Sequence, residues 1–321
     1  MDSKRKGWKA LKPPLHVAVG NINVDIYLKV PKLPAPDDAV SAEEATVRPG
    51  GAAANYSVAV ARLGHRARLV AHTSRIAELL GVLDTLRGSG VDTSTVKMHE
   101  EGMPGMVLIL LLPGGETSMI KLRGVNALLS GVDVRDALPA DVVHFASVAP
   151  SILVEAAGLL RGLAGLVSYD PGGAVVNAYG PEVVEAAREA ADVLTINRNE
   201  LKALTGGWDP VDARRLLGGR LRYVLVRVGG RGAYLATDSR VYWVKPYIHG
   251  VVVDTTGAGD VFNAYFLGFM AEGREVREAL AAASIAAGIK VTRLGAQSAP
   301  YRREVEEVLE EYGGELVEEI Y

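Results

Sequence analysis

The sequence predicts an α/β fold in which helices cover a mostly parallel central sheet. First, apolar runs of strand length recur along the chain, as is typical of strands buried on both faces; they lie at 15–20, 67–71, 141–146, 165–169, 192–196 and 221–227. Second, Ala- and Leu-rich segments with helical spacing separate most of these runs, at 52–63, 76–88, 151–162, 180–191 and 209–217. Alternation of strand and helix favours parallel pairing, with helices on both faces of the sheet.

The last third of the chain departs from this alternation. Two strand-like segments, 233–236 and 240–245, flank the residues Asp238-Ser239, and this pattern predicts a hairpin. Long helices are then predicted at 258–272, 276–292 and 301–311.

Four further strand candidates predict a small separate β-sheet that projects as a lid. Segments 24–30 and 40–48 surround a proline-rich turn, and segments 105–112 and 117–122 flank the hairpin turn Pro113-Gly114-Gly115. The alternative is that these strands extend the main sheet.

Composition excludes several classes of function. The chain has 321 residues, a length that permits one large α/β domain or two ordinary ones. Its formal net charge of -3 leaves no basic field for binding nucleic acid. The absence of cysteine excludes disulfides, zinc–thiolate sites and thiol catalysis.

The ends of the chain predict no targeting or membrane segment. No apolar run reaches the length of a transmembrane helix, and the basic start lacks the apolar stretch of a signal peptide. We expect a disordered basic tail over 1–14, one domain over 15–312 and a C-terminal tail over 313–321. A cytoplasmic location follows, with neither a membrane nor a nucleic acid as partner.

The segment DTTGAGD at 254–260 is the sharpest chemical signal in the sequence. It follows the β-branched run 251–253 and precedes the helical pattern 261–270, so its glycines lie where a helix begins. Free backbone N–H groups point outward at such a helix start, and the helix dipole favours negative charge there. Small residues also let a phosphate approach the backbone closely. We therefore predict an anion-binding turn.

Asp260 lies in the first turn of that predicted helix, beside the anion site. One interpretation is an ordinary acidic residue that complements the helix dipole. The other, which the spacing favours, is a general base next to the transferred phosphoryl group.

Other nucleotide and metal motifs are absent from the sequence. There is no Gly-Lys-Ser/Thr of a P-loop and no HExxH zinc motif. Gly257 and Gly259 begin a dinucleotide-type pattern, but Phe262 occupies the place of its third glycine. A dehydrogenase is therefore disfavoured.

A second glycine turn lies in RPGGAAAN at 48–55, which opens another predicted helix. Gly50 and Gly51 allow a ligand to approach the backbone, and Asn55 could offer both a donor and an acceptor to a hydroxyl. Asp25 follows the first strand run, at the end where ligands bind in open α/β sheets. The alternative interpretations are a tight turn with a polar helix residue, and a turn aspartate.

The two glycine turns together resemble the two signatures of the ribokinase (PfkB) carbohydrate kinase family, over residues from about Val17 to Glu307. Four further segments resemble family features in the right order. These are the Gly-Ala-Asn segment after the lid, the Asn-x-x-Glu motif, the Gly-x-x-Gly turn beside the nucleotide and the C-terminal region, at 123–126, 197–200, 227–232 and 291–297.

The resemblance implies a three-layer ribokinase-like fold with a β-sheet lid, and ATP and Mg²⁺ as co-substrates. It also implies transfer of the γ-phosphate to a hydroxymethyl hydroxyl of a sugar. Asp260 is then the base, and the N–H groups of Gly257, Ala258 and Gly259 form the anion hole. The implied acceptor-binding residues are Asp25, Gly50, Gly51 and Asn55.

The resemblance also implies a nucleotide-binding set, formed by Asn197, Glu200, Arg227, Gly229, Gly232 and Thr256. Glu200 would help to place Mg²⁺ indirectly. Asp254, with Thr256 and Gly295, would hold a monovalent cation, for which K⁺ is the candidate.

One segment departs from the family pattern. Where relatives usually show Gly-x-Asp-x-x-Gly, this chain has AHTSRIAE at 71–78. The departure leaves open which acceptor is used, but not the chemistry.

Three functions therefore remain as alternatives. A sugar kinase leads, and the four Phe and three Trp residues mildly favour it over a nucleoside kinase with the same machinery. A non-catalytic sugar- or nucleotide-binding protein is the third, and the presence of Asp260 argues against it. A homodimer formed through the lid is a candidate assembly.

Some polar residues have no assigned role at this stage. No pair of the six histidines has metal-ligand spacing; we predict His144 in the core, and His16 and His249 at strand edges. Asp170 ends a strand near the expected cleft, where contact with substrate or magnesium and a turn role are equally supported.

Overall fold

The computed structural model describes residues 12–321. The basic tail predicted over 1–14 lies outside the described residues except for 12–14, which form no regular element. The strands are β1 (Leu15–Gly20), β2 (Asn23–Lys29), β3 (Glu44–Gly50), β4 (Arg66–Ser74), β5 (Val91–Asp92), β6 (Val96–His99), β7 (Gly105–Leu111), β8 (Thr117–Leu122), β9 (Ala140–Ala146), β10 (Ala164–Asp170), β11 (Val193–Asn197), β12 (Tyr223–Arg227), β13 (Ala233–Ala236), β14 (Val241–Val244) and β15 (Val317–Glu319).

The α-helices are α1 (Ala52–Arg62), α2 (Arg75–Leu79), α3 (Val82–Gly88), α4 (Pro150–Leu160), α5 (Gly173–Tyr179), α6 (Glu182–Ala190), α7 (Arg198–Thr205), α8 (Pro210–Arg214), α9 (Ala258–Ala271), α10 (Val276–Val291) and α11 (Arg302–Leu316). Short 3-10 helices lie at Pro113–Gly115, Gly124–Leu128, Gly131–Ala137 and Gly229–Arg231. Among the helices of this part of the chain, none is both long and apolar enough to cross a membrane.

The main sheet has the strand order β15-β14-β13-β12-β11-β10-β9-β1-β4-β5, with β6 paired to β4. Its strands from β5 to β12 are parallel, and only β13, β14 and β15 add antiparallel pairs at one edge. The α/β class and the mostly parallel sheet are therefore confirmed. Because β1, β9, β10, β11 and β12 run in one direction, their carboxyl ends meet at one edge of the sheet, where ligands bind in open α/β folds.

Helices cover both faces of the main sheet and make the three-layer architecture. On one face α1, α9 and α10 share a core with α11, and on the other face α4 to α8 pack over a second core. In α9 every residue from Val261 to Phe269 is buried, which is the pattern of a core helix rather than an amphipathic surface helix.

The predicted lid is a separate four-stranded sheet with the order β3-β2-β7-β8. In it β2 pairs antiparallel with β3 and parallel with β7, and β8 completes a hairpin with β7. The prediction of a separate small sheet is confirmed. The alternative, that these strands extend the main sheet, is wrong.

Several element boundaries differ from the sequence prediction. The helix predicted over 76–88 is broken into α2 and α3, because Gly81 adopts a left-handed conformation with φ 72°. The C-terminal tail predicted over 313–321 also differs from the structure. Here α11 continues to Leu316, and β15 then pairs with β14 at the edge of the main sheet. Burial of Leu316 and Val317 accounts for this ordered end.

One of the three histidine predictions is confirmed and two are wrong. His249 is exposed and lies in the segment between β14 and α9, so it is not a strand-edge residue. His144 is fully buried and lies 3.2 Å from the hydroxyl of Ser168, as expected of a core histidine. His16 is buried too, because β1 is a central strand between β9 and β4. Its ring nitrogens lie 2.7 Å from the Tyr56 hydroxyl and 3.0 Å from His65 Nδ1, so the strand-edge prediction for His16 fails.

Candidate active site

The turn at 254–260 leads directly into α9, as the sequence predicts. Gly257 is the N-cap residue with φ 77°, and a Cβ there would lie 2.4 Å from the carbonyl oxygen of Ala296. Only glycine fits this backbone position. No side chain caps the helix, and the Ala258 N–H donates to the carbonyl of Thr255 at 3.2 Å. The next amides of the first turn have no intrahelical acceptor and form a positive helix end.

Asp260 is joined to the other glycine turn by a hydrogen bond. The Asn55 side-chain amide donates to Asp260 Oδ2 at 2.9 Å, and Gln297 Nε2 in turn donates to Asn55 Oδ1 at 3.3 Å. A side chain from the first turn of α1 is therefore in direct contact with one from the first turn of α9. The structure brings together two residues that the sequence places in separate motifs.

The surroundings of Asp260 raise its pKa from the ordinary aspartate value to about 7. Burial is the main cause, and the negative charge of Asp170 adds to it. The hydrogen bond from Asn55 and the positive charges of Arg227 and Lys290 oppose the increase. A carboxyl group with a pKa near neutrality is suited to accept a proton during a reaction at neutral pH.

Arg227, at the end of β12, lies between the turn and a buried carboxylate. Its guanidinium forms an ion pair with Asp170 at 2.8 Å, and Asn263 also donates to that carboxylate at 2.8 Å. A Cβ on Gly259 would come within 2.4 Å of Arg227 Nη1. The structure thus explains the glycine at 259 and places Asp170 in an ion pair beside the site.

Asn197 and Glu200 form the N-terminal cap of α7. The Asn197 side chain accepts from the backbone N–H groups of Asn199 and Glu200, while Glu200 accepts from the backbone and side chain of Asn197 at 2.8 and 2.6 Å. Burial, with the charge of Asp170, raises the pKa of Glu200 to about 7, although Asn197 and Arg227 oppose this. The Asn-x-x-Glu motif is thus a reciprocal capping box with a buried carboxyl group.

These residues fit an indirectly held Mg²⁺ ion. Within residues 12–321 no three His, Asp or Glu side chains are grouped so that they could hold a metal by themselves. Asp170 pairs with Arg227, which lies beside Gly259 of the turn, and the charge of Glu200 also acts on Arg227. Mg²⁺ is usually held by one or two carboxylates together with substrate phosphates and water.

A cavity of about 440 Å³ lies on the other side of the turn. Its lining combines glycine backbones and charged or amide side chains with several apolar side chains. The lining residues are Asn197, Arg227, Gly229, Gly230, Gly232, Pro246, Tyr247, Ile248, Val252, Thr255, Ala258, Gly259, Phe262, Ser284, Ala287, Gly288 and Val291. Its volume and mixed lining fit a small-molecule ligand.

The acceptor end is built by Asp25 and the 48–55 turn. A Cβ on Gly50 would lie 2.0 Å from Asp25 Oδ2, so the carboxylate packs against bare backbone. Asp25 is buried, and burial raises its pKa to about 6 while the charge of Lys121 on the lid acts in the opposite direction. Gly51 caps α1 with φ 99°, which places Asn55 in the first turn. Asp25, Gly50, Gly51 and Asn55 are therefore neighbours in space.

Asn126 ties the lid to the main domain at this end. It is buried, and its side-chain amide donates to the carbonyl of Ile22 and to Asn23 Oδ1, each at 3.0 Å. The segment 123–126 therefore anchors the strand that carries Asp25.

The divergent segment 71–78 continues β4 to Ser74 and then forms α2. His72 in this strand is buried, and its ring lies 3.1 Å from Asp133 and 3.0 Å from His99. A buried histidine held by a carboxylate thus stands in the segment where relatives have a glycine-rich turn.

Asp254, at the start of the turn, is held on both carboxylate oxygens. It accepts from the N–H groups of Thr256 at 2.9 Å and Gly295 at 2.8 Å. Burial alone would raise its pKa, but these bonds and the charge of Lys290 hold it below its ordinary value. Lys290 also donates to the Asp254 carbonyl at 2.5 Å.

Sequence reasoning missed several residues of the site. The apolar lining of the cavity by Tyr247, Ile248 and Val252 has no motif. The role of Gly288 could have been predicted, because a glycine inside a helix can indicate that another segment packs closely against the helix backbone. A Cβ at this position would lie 1.8 Å from the Tyr247 carbonyl oxygen. The burial of Lys290 could not be predicted from the sequence, because a lysine near a helix end is usually exposed to solvent.

The fold and the site together define a phosphotransferase of the sugar-kinase class. The chain belongs to the pfkB family of carbohydrate kinases, whose family model matches residues 14–302. It is 31% identical over 288 residues to the ATP-dependent ribose-1-phosphate kinase of Halopiger xanaduensis, covering 88% of this chain and 94% of that protein. It is 28% identical over 305 residues to the ribokinase of Haemophilus influenzae, covering 91% and 97%.

Solved structures show the same architecture. The ribokinase of Arabidopsis thaliana, complexed with ribose and ATP, superposes with a TM-score of 0.79 at 29% identity, covering 93% of this chain and 99% of that one. The nucleoside kinase of Methanocaldococcus jannaschii gives a TM-score of 0.81 at 24% identity, covering 94% and 99%. At that identity the second likeness concerns the fold alone. The chain is an enzyme of this family, a phosphotransferase with an alcohol group as acceptor.

Proposed function

We propose that the protein transfers the γ-phosphate of ATP to a hydroxymethyl hydroxyl of a sugar, with Asp260 as the general base. One observation carries the proposal. The carboxylate at the start of α9 has a pKa of about 7 and is hydrogen-bonded to Asn55 of the acceptor-side turn at 2.9 Å. On the other side of the same turn, Gly259 lines the cavity.

ATP binds in the cavity, with its phosphates toward Ala258 and Gly259 and its base among the apolar residues. The lining supports this placement, because it includes Ala258 and Gly259 of the turn as well as apolar side chains such as Ile248 and Val252. Arg227 and the turn at 229–232 line the polar part, where a guanidinium can form charge-assisted hydrogen bonds to phosphate oxygens. The A. thaliana ribokinase, whose structure is complexed with ATP, also supports ATP as donor.

Charge on the transferring phosphoryl group is neutralised by the free N–H groups and the dipole at the start of α9. Glu200 would help to place a Mg²⁺ ion bound with the nucleotide phosphates, and the ion would neutralise further charge. Phosphoryl transfer depends on such positioning and electrostatics more than on covalent chemistry. Because α9 is buried along its length, its dipole is held in a fixed direction.

The acceptor hydroxyl lies between Asp260 and the acceptor-side residues Asp25, Gly50, Gly51 and Asn55. Asp260 takes the hydroxyl proton as the oxygen attacks, a contribution of about 10²–10⁴-fold to the rate. The four-stranded lid covers this end and excludes water, which otherwise competes as an acceptor.

Kinetics on Asp260→Asn test this assignment. We expect the variant to bind ADP with wild-type affinity in calorimetry and to lose about 10²–10⁴-fold in kcat with the best sugar. Wild-type turnover in the variant, or loss of nucleotide binding with a normal melting temperature, contradicts Asp260 as the base.

A second candidate acceptor is a sugar that already carries a phosphate, the kind of acceptor named for the H. xanaduensis relative. A row of charged residues across the lid, formed by Arg48, Asp25 and Lys121, supports this second acceptor. Asp25 on β2 is directly opposite Arg48 on β3 and Val107 on β7, and Val107 is opposite Lys121 on β8. Directly paired residues point to the same face of a sheet, so Arg48 and Lys121 flank Asp25 on one face.

The two basic residues of this row are available to an anion. Neither has an ion-pair partner within residues 12–321. The charge of Lys121 acts on Asp25 and that of Arg48 acts on Tyr27, so both lie at the acceptor end. A phosphate placed beside a sugar hydroxyl therefore meets two cations.

An acceptor screen separates the candidates. At saturating ATP, the initial rates with ribose, fructose, ribose 1-phosphate and inosine are compared, with ADP release as readout. A preference for an unphosphorylated sugar supports the first proposal, and a preference for ribose 1-phosphate supports the second. Preference for inosine would establish the nucleoside kinase alternative. No acceptor-dependent ADP release with any sugar or nucleoside would contradict all three.

The lid also supports a homodimer, the assembly predicted from the sequence. Its outer strand β8 exposes Met119, Ile120 and Leu122, so the sheet ends in an apolar edge strand that can pair with a second copy. Light scattering on the purified protein and on an Ile120→Lys variant tests this assembly, and a monomeric wild type contradicts it.

A further inference from the structure

Among the lysines of residues 12–321, Lys290 alone has a completely buried side chain. It lies in the last turn of α10, and its ammonium donates to the carbonyl of Asp254 at 2.5 Å and lies 3.9 Å from Asp254 Oδ2. Isolated burial of an ammonium group is strongly unfavourable, because the charge loses its hydration. The cost is offset here by the Asp254 contacts and by the negative end of the α10 dipole.

The position of this charge links it to the reaction. Asp254 begins the turn that ends at Asp260, so the ammonium lies directly behind the anion-binding turn. Burial lowers the pKa of Lys290, and the charges of Asp254 and Asp260 oppose this decrease. The charge of Lys290 in turn opposes the increase in the pKa of Asp260, so the two groups interact. A fixed positive charge therefore faces the place where charge develops on a phosphoryl group.

A monovalent metal ion does not fit this place. Both carboxylate oxygens of Asp254 already accept backbone N–H groups, and its carbonyl accepts the lysine. The carbonyl of Gly295 already accepts a hydrogen bond from the Ser298 hydroxyl at 2.7 Å. A second cation beside the ammonium would be repelled by it. Of the K⁺ site expected at Asp254, Thr256 and Gly295, the Asp254 oxygens thus already face the protein's own cation.

We propose that Lys290 is a built-in monovalent cation that orients the anion-binding turn, so that the kinase needs no added K⁺. The inference rests on the proposed function, because the turn is taken as the phosphate site. Lys290 is a positioning residue in this role: it acts through Asp254 and the turn and does not touch the substrate.

The first test is the response of the unchanged enzyme to cations. Rates are measured with tetramethylammonium as the only monovalent cation and then with increasing K⁺ at constant ionic strength. We expect the wild-type rate to change less than about twofold, because the position is filled. Saturable activation of the wild type by K⁺ overturns the proposal.

The second test removes the ammonium and supplies a free cation. Lys290→Ala should lose about 10- to 100-fold in kcat/KM for ATP without K⁺, and K⁺ or NH₄⁺ should restore part of the loss by entering the vacated space. Lys290→Gln, which keeps most of the volume, should lose activity without this rescue. Lys32→Ala, which breaks an exposed Lys–Asp pair at 2.7 Å, is the matched control.

Thermal melting provides a readout that does not depend on catalysis. K⁺ should raise the melting temperature of Lys290→Ala but leave those of the wild type and Lys32→Ala unchanged. If Lys290→Ala folds but K⁺ affects neither its rate nor its melting temperature, the proposal is overturned. If no acceptor is phosphorylated, the proposed function fails, whereas the melting data still decide whether Lys290 occupies a cation site.

Discussion

Asn55 Nδ2 donates a hydrogen bond of 2.9 Å to Oδ2 of Asp260, although 205 positions of sequence separate the two residues. The bond joins the first turn of α1 to the first turn of α9. It therefore couples the residue that we assign to acceptor binding with the residue that we assign to proton transfer. The bond also opposes the effect of burial on the pKa of Asp260.

Replacing Asn55 should shift the pH dependence of the reaction. In Asn55→Leu the carboxylate loses a donor that stabilises its charged form, so the pKa of Asp260 should rise further above about 7. We expect kcat at pH 7 to fall roughly tenfold and to recover partly at higher pH. The kcat–pH profile measures this. Gln297→Leu, which removes only the 3.3 Å bond to Asn55, should shift the profile less; an unshifted profile for Asn55→Leu contradicts the assignment.

Asp260→Asn should also change stability in a pH-dependent way. The folded-state pKa of Asp260 is raised to about 7, whereas the unfolded value is about 3.9. Between these values the folded form binds the proton more tightly, so the contribution of Asp260 to stability falls as pH rises from about 4 to about 7. Asn removes that penalty. The variant should melt above the wild type at pH 8, with a smaller difference at pH 4; equal differences at both pH values would be inconsistent with the raised pKa.

The Glu200→Gln variant should distinguish the role of Glu200 in capping α7 from its proposed role in placing Mg²⁺. Gln is accepted at this position of a capping box, so the melting temperature should change little. If the carboxylate helps to place Mg²⁺, the Mg²⁺ concentration that gives half-maximal rate should rise several-fold. Asp212→Asn alters the corresponding cap of α8 and serves as the control. A normal Mg²⁺ requirement in Glu200→Gln would leave Glu200 with a capping role only.

Gly259→Ala should weaken nucleotide binding through Arg227. The new Cβ would lie 2.4 Å from Arg227 Nη1 and would push the guanidinium away from its 2.8 Å ion pair with Asp170. We expect KM for ATP to rise about 5- to 100-fold. Gly158→Ala adds the same methyl group in α4, where it would meet no other part of residues 12–321 within 4 Å beyond its own helix backbone, and should leave KM unchanged. Equal kinetics for the two variants would contradict the placement of Arg227.

Arg48→Ala and Lys121→Ala should discriminate between acceptor classes. If the acceptor carries a phosphate, loss of a charge-assisted hydrogen bond should raise KM for ribose 1-phosphate by about 10- to 100-fold and leave KM for ribose nearly unchanged. Lys29→Ala, on the same strand as Asp25 but paired with Glu43 at 3.0 Å, is the control. An equal effect on both acceptors would indicate that the two residues support the lid rather than recognise phosphate.

Some parts of the site could be predicted because their constraints are local. Gly257 and Gly51 adopt positive φ angles at helix starts, and such turns leave a glycine pattern in the sequence. The capping box of Asn197 and Glu200 has a fixed three-residue spacing for the same reason. The antiparallel edge strand β15 could not be predicted from local sequence. Val317 belongs to a strand only because it pairs with β14, which is distant in sequence.

The amino-acid sequence alone specified the α/β class, the lid hairpins and both glycine turns. The periodicity of hydrophobic residues and the residue preferences of turns both act over a few neighbouring residues. Only the tertiary structure decided that Arg227 pairs with Asp170 and that Lys290 lies behind the anion-binding turn. It also raised the pKa of Asp260 to about 7. Burial and charge–charge interactions depend on distances through space, and these exist only once segments far apart in sequence have packed together.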